Sequence, residues 1–159
     1  MAPRQTILPL AYRAFFLIIE PISALLGAYY AHSRQAEYLA MTLHTPSPST
    51  PSTAVPLETS IVLSQLANLY FLFAVNEALV LRSTGDVRVW KTVLFGLLLA
   101  DFGHLYTMAG LGSWIYWDAT RWNAMDYGSV PFVYLGASMR MAFLAGVGLG
   151  TPGKGRKAA

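Results

Sequence analysis

Glu20, Asp101, His104 and Arg140 are ionisable residues set in the middle of long apolar runs. Asp101 and His104 stand three residues apart, so on a helix they share a face with Leu97 and Met108. Desolvation favours a protonated carboxyl and a nearby arginine favours an ionised one. Two carboxyls in unequal surroundings therefore hold different protonation states, one donating and one accepting. Such a set suits protonation of an epoxide or alkene, with water or an internal hydroxyl as nucleophile. It equally suits proton shuttling in a double-bond isomerisation. In the epoxide scheme Asp101 activates the nucleophile, assisted by His104 or Arg140, and Glu20 is the acid on the epoxide oxygen. Other chemistries lack their parts. The chain has no G-x-S-x-G elbow and no Gly-rich phosphate loop. It has no cysteine, hence no thiolate nucleophile, disulfide or Cys-ligated metal. Its three histidines are scattered, so no metal and no cofactor is expected.

The elements that carry these groups follow from composition. The 159 residues are 55% hydrophobic and only 12% charged, about half the charge of a typical soluble domain at ~25%. That excludes a disordered chain, a coiled coil and a nucleic-acid-binding domain. Mean hydropathy is +0.44. The net charge of +3 comes from basic residues at the ends of apolar runs rather than on one face, as membrane proteins place them.

Four runs, about Leu8–Ala31, Ile61–Leu81, Lys91–Gly110 and Val130–Leu149, are each long enough to cross a hydrocarbon core of about 30 Å as a helix. They are apolar nearly all round, unlike the amphipathic helices of a soluble bundle. The expected fold is all-α: one domain over residues 1–159, an integral-membrane four-helix bundle. Pro21 predicts a kink in the first span. The connection at about 42–58 is Ser/Thr/Pro-rich and predicts a flexible loop. Arg4, then Arg82, Arg88 and Lys91, then Lys154, Arg156 and Lys157 flank the spans on one side of such a bundle. The positive-inside rule then puts both termini in the cytosol.

A charge at the bilayer centre costs about 2.5–3.5 kcal/mol on insertion scales, so intramembrane ionisable groups turn inward and pair. Counted from the cytosolic ends at about 1.5 Å per residue, Glu20, Asp101 and Arg140 share a level near mid-membrane. By the same count Arg13 and Glu77 lie nearer the cytosolic side and form a separate structural pair. Gln65, Asn68, Leu72 and Asn76 make a polar stripe in the second span. In the fourth span Gly136 and Ala137, one turn before Arg140, allow a neighbouring helix to come close. Trp114, Tyr116, Trp117, Trp122 and Tyr127 crowd the third connection, as an interfacial belt or as the wall of a lipophilic pocket. Asn68, Asn76, Trp114 and Trp117 are the candidate substrate-binding residues. The partners expected are membrane lipid and a lipophilic small molecule such as a polyene, terpenoid or sterol, with no nucleic acid. A homo-oligomer is left open.

RAFFLIIEPISALLGAYYA from Arg13 to Ala31, with ADFGHLY from Ala100 to Tyr106, resembles a family of small four-span membrane proteins of filamentous fungi. The chain also looks like the membrane hydrolases of fungal aurovertin- and citreoviridin-type polyketide clusters. That resemblance implies opening of polyene epoxides by water or internal hydroxyls, and a location in the endoplasmic reticulum. Glu20, Asp101 and His104 stand at the motif positions. More distantly the architecture is similar to the EXPERA and emopamil-binding group, which includes sterol isomerases. The second span carries Asn76 and Glu77 where that group has a His and Glu pattern. A sterol-type isomerase or lipid-binding protein, and a non-catalytic membrane scaffold, are the alternatives.

Overall fold

The apolar runs wind into helices, and no strand occurs among the residues described by the computed structural model, 8–46 and 55–150. The middle of the Ser/Thr/Pro connection lies outside the described residues. Three helices are long and apolar enough to cross a membrane: α1 (Leu10–Ser33), α3 (Leu57–Leu81) and α4 (Val87–Leu111). By length and composition this is a membrane protein. Between α1 and α3 comes a helix that the polar connection did not predict, α2 (Gln35–Leu43). The chain closes with α5 (Ala124–Ser129) and α6 (Pro131–Leu144).

The last helix is shorter than the fourth apolar run. Pro131 fixes its first turn, a position where a missing N–H costs nothing. It stops at Leu144, and positive φ at Gly146 and Gly148 turns the chain away. Its 14 residues extend about 21 Å, short of a full hydrocarbon core.

The surface inverts the soluble pattern. Ile22, Leu25, Val62, Phe71, Phe95, Leu99 and Met141 face outward, while Glu77, Asp126 and Arg140 are buried. So wide an apolar exterior marks a surface that contacts a membrane or another protein. Inside, Phe15, Phe16, Leu81, Trp90, Leu94 and Phe143 form one cluster, and Met108, Ile115 and Val130 a second. Along α4, Leu97 belongs to the first and Met108 to the second; Asp101 and His104 stand between them.

The second cluster explains the aromatic connection. Trp114, Tyr116 and Trp122 pack on it, and their polar tips donate to Leu111, Leu105 and Ile115 carbonyls at 2.7, 2.6 and 3.0 Å. Trp117 and Tyr127 remain exposed. An Asn123–Asp126 capping box starts α5, and His44 reaches the buried Asp126 at 3.1 Å, fastening the end of α2 to it.

Two turns are widened to π geometry, Phe15–Ile19 in α1 and Asn76–Leu81 in α3, and they pack on each other. Proline explains the first. Pro21 has no N–H for the Leu17 carbonyl and its ring crowds that oxygen. Arg82, beyond the end of α3, donates Nη2 to the Leu17 carbonyl at 3.0 Å instead. This predicts non-additivity. Arg82→Ala is expected to cost less in a Pro21→Ala background, where the helix supplies its own donor, than in the wild type. A double-mutant cycle by unfolding in mixed micelles is expected to show about 1 kcal/mol of coupling; strict additivity would break the link.

Candidate active site

Arg140 projects from α6 into the bundle and meets one carboxylate from each of the three long helices. Its Nη1 donates to Asp101 Oδ2 at 2.6 Å. Its Nη2 serves two acceptors, Glu20 Oε1 and, at 3.2 Å, Glu77 Oε1. The guanidinium lies 5.6 Å from the centroid of the Phe16 ring, whose position the first π turn sets. Glu20 follows that turn directly, and Glu77 sits within the second. Widened turns of this kind recur at functional sites, because they aim a side chain that a regular helix would turn elsewhere.

The three carboxylates are not equivalent. The side chains of Glu20 and Asp101 each keep 13% of their surface open, against 1% for Glu77. Glu20 Oε2, Glu77 Oε2 and Arg140 Nε are buried without a hydrogen-bond partner. Unpaired buried oxygens are expensive away from water. Gly136 makes the cluster sterically feasible. A Cβ there would come within 2.8 Å of Arg140 Nη1 and 3.4 Å of Glu20 Oε1. The glycine expected to admit a neighbouring helix thus admits the guanidinium itself and the carboxylate it binds.

The cluster opens on a cavity of about 130 Å³, lined by Glu20, Glu77, Asp101, His104 and Arg140 together with apolar neighbours. A second cavity of about 270 Å³ lies alongside, and Ser23, His104 and Val133 line both. His104 Nε2 donates to the Ser129 carbonyl at 2.9 Å. In the neutral ring this leaves Nδ1 as an acceptor.

All four expected catalytic residues, Glu20, Asp101, His104 and Arg140, therefore line one cavity. Glu77 belongs with them and not with Arg13: it binds Arg140, whereas Arg13 is exposed. Counting from helix ends misplaced it because α1 and α4 begin well before the level of the cluster. A different signal marks it. Leu63, Ala67, Ala74, Glu77 and Leu81 are all buried and follow one another at helical spacing along α3. The polar stripe beside them faces the other way: Gln65, Asn68 and Leu72 are exposed. Asn68, Asn76, Trp114 and Trp117 are not among the residues lining either cavity.

No curated protein and no solved structure matches the chain. A family model does, over residues 5–150, and it covers every element described above: the chain belongs to the family of the domain of unknown function DUF7704.

Proposed function

We propose that this protein is an integral-membrane acid–base enzyme that opens an epoxide of a lipophilic polyene polyketide or terpenoid. The observation that carries the reading is a buried guanidinium ringed by three carboxyls on the wall of a cavity. With all four groups ionised the cluster would hold a net charge of about −2, which a hydrocarbon-surrounded site does not sustain. A proton on the Glu20–Glu77 pair, which shares the single Nη2, relieves that excess. Asp101, with Nη1 to itself, is the ionised member. Glu20 and Asp101 are the two carboxyls most open to a substrate.

The reaction then balances without a cofactor. Glu20 gives its proton to the epoxide oxygen as the C–O bond breaks. Water or a hydroxyl of the substrate forms the new C–O bond and passes its proton to Asp101. Proton return from Asp101 to Glu20 through water in the cavity that both line restores the starting state. His104 Nδ1 is an acceptor that can hold the nucleophile, and Glu77 positions Arg140 from behind. Polar rearrangement is small because the donors are fixed before substrate arrives.

The reading includes α6 as the fourth membrane-embedded helix of the bundle, with α5 leading into it. It includes both termini on the cytosolic side, supported by the basic flanks, and the endoplasmic reticulum, supported by the fungal resemblance. Protein in lipid nanodiscs, given a polyene epoxide in oxygen-18 water, is expected to produce a labelled diol or an unlabelled cyclic ether. Deuterium from solvent appearing at a product carbon, with no epoxide consumed, would instead mark an isomerase. No conversion across a panel of polyene and terpenoid epoxides would leave the charges a scaffold.

Gly136→Ala tests the geometry directly. The added methyl must push the guanidinium aside, and a displacement of about 1 Å costs about a hundredfold in turnover. The variant is expected to remain folded, since only side-chain tips meet the new group. Full turnover in Gly136→Ala would show that Arg140 is not where the reaction needs it.

A further inference from the structure

The larger cavity contains polar groups that the epoxide scheme leaves unused. Its walls are mostly apolar, with Leu26, Met41 and Met125 among them. Tyr38 and Tyr70 also line it, and their hydroxyls meet at 3.2 Å. One hydrogen serves that bond, so the other hydroxyl still has a proton to donate. Among the described residues neither hydroxyl has another partner. Two hydroxyls in series polarise each other, which strengthens the free donor. Burial and the Tyr70 hydroxyl hold the Tyr38 phenol above its ordinary value, so it stays O–H.

The pair is also fixed in place. Gln35 donates to the Ser60 carbonyl at 3.3 Å and to Ser64 Oγ at 3.4 Å, which holds α2, and Tyr38 with it, against α3. The Tyr70 ring lies over Gly27 of α1, where a Cβ would sit in van der Waals contact at 3.4 Å. A donor held this way loses little freedom when it binds an acceptor. Ser23, His104 and Val133 border both cavities, so a molecule filling the larger one extends to the carboxyl cluster.

We propose that the larger cavity is the binding site for the body of the substrate, and that the Tyr38–Tyr70 hydroxyl pair donates to a carbonyl oxygen remote from the reacting group. The substrate class is thereby an elongated lipophilic carbonyl compound. This rests on the acid–base reading for the identity of the reacting end, but the binding it describes needs no turnover.

The probes are radiolabelled farnesal and farnesene, which have similar carbon chains and differ in the carbonyl. Retention by protein-loaded nanodiscs is measured over empty ones. The wild type is expected to favour farnesal about tenfold, the factor one hydrogen bond supplies. The double variant Tyr38→Phe, Tyr70→Phe, which keeps both rings, is expected to retain the two probes equally. Met125→Trp, which fills the cavity, is expected to reduce both alike. Equal retention by the wild type overturns the proposal, as does an unchanged preference in the double variant. Epoxide opening is assayed separately. Conversion without farnesal preference removes this site and spares the chemistry; preference without conversion does the reverse.

Discussion

Replacing Arg140 by methionine is expected to cost about 3–5 kcal/mol of stability, the range found when one partner of a buried ionic network is removed. The size follows from what remains. Methionine fills much of the space, so lost packing is a small part. The carboxyls of Glu20, Glu77 and Asp101 would face one another with no cation, in a site where Glu77 keeps 1% of its surface open. Arg140→Lys separates charge from shape. It restores the positive charge but not the planar fork that holds Asp101 on one nitrogen and both glutamates on the other. It is expected to recover part of the stability and little of the turnover. Reversible unfolding in mixed micelles measures the first quantity. A loss below about 1 kcal/mol for Arg140→Met, the range of exposed ion pairs, would mean that the carboxyls are solvated and the site is not buried.

Asp101→Asn is expected to lower epoxide turnover about a thousandfold, within the range of a lost general base. The amide keeps the shape and can still accept from Arg140 Nη1, so the fold is retained while the proton acceptor is lost. Glu77→Gln is the informative contrast. Glu77 contacts the same guanidinium and borders the same cavity but keeps only 1% of its side-chain surface open, so its amide is expected to reduce turnover less than about tenfold, through the placement of Arg140 alone. Equal losses at Asp101 and Glu77 would show that charge balance, and not proton abstraction, is what the reaction requires.

Much of the site was legible because a charge inside an apolar run has few places to go. Glu20, the Asp101–His104 pair and Arg140 stand on three different helices, and intramembrane ionisable groups turn to the bundle interior as their common destination. The rest was hidden for identifiable reasons. Glu77 looks shallow when helix ends mark the membrane levels, whereas long helices overrun or tilt through a bilayer. Along α3, polarity was a misleading guide to the inner face. Small side chains at Ala67 and Ala74 face inward, while Gln65 and Asn68 face out. The fourth apolar run overstated its helix because glycines at 146 and 148 turn the chain after Leu144. The α2 helix stayed concealed in a connection whose composition is dominated by its Ser/Thr/Pro centre. Trp114 spends its indole N–H on a local carbonyl, a fate that aromatic composition does not disclose.

The sole cation of the cluster is the last of its members to leave the ribosome. Glu20, Glu77 and Asp101 are all synthesised before Arg140, so a nascent chain exposes three acids to lipid with nothing to neutralise them. Protons can cover that interval. Arrival of the final helix then displaces all but the one that the glutamate pair keeps, and assembly becomes a release of acid as well as a packing event. A product truncated ahead of residue 131 would be left in the earlier condition, its three acids without their cation.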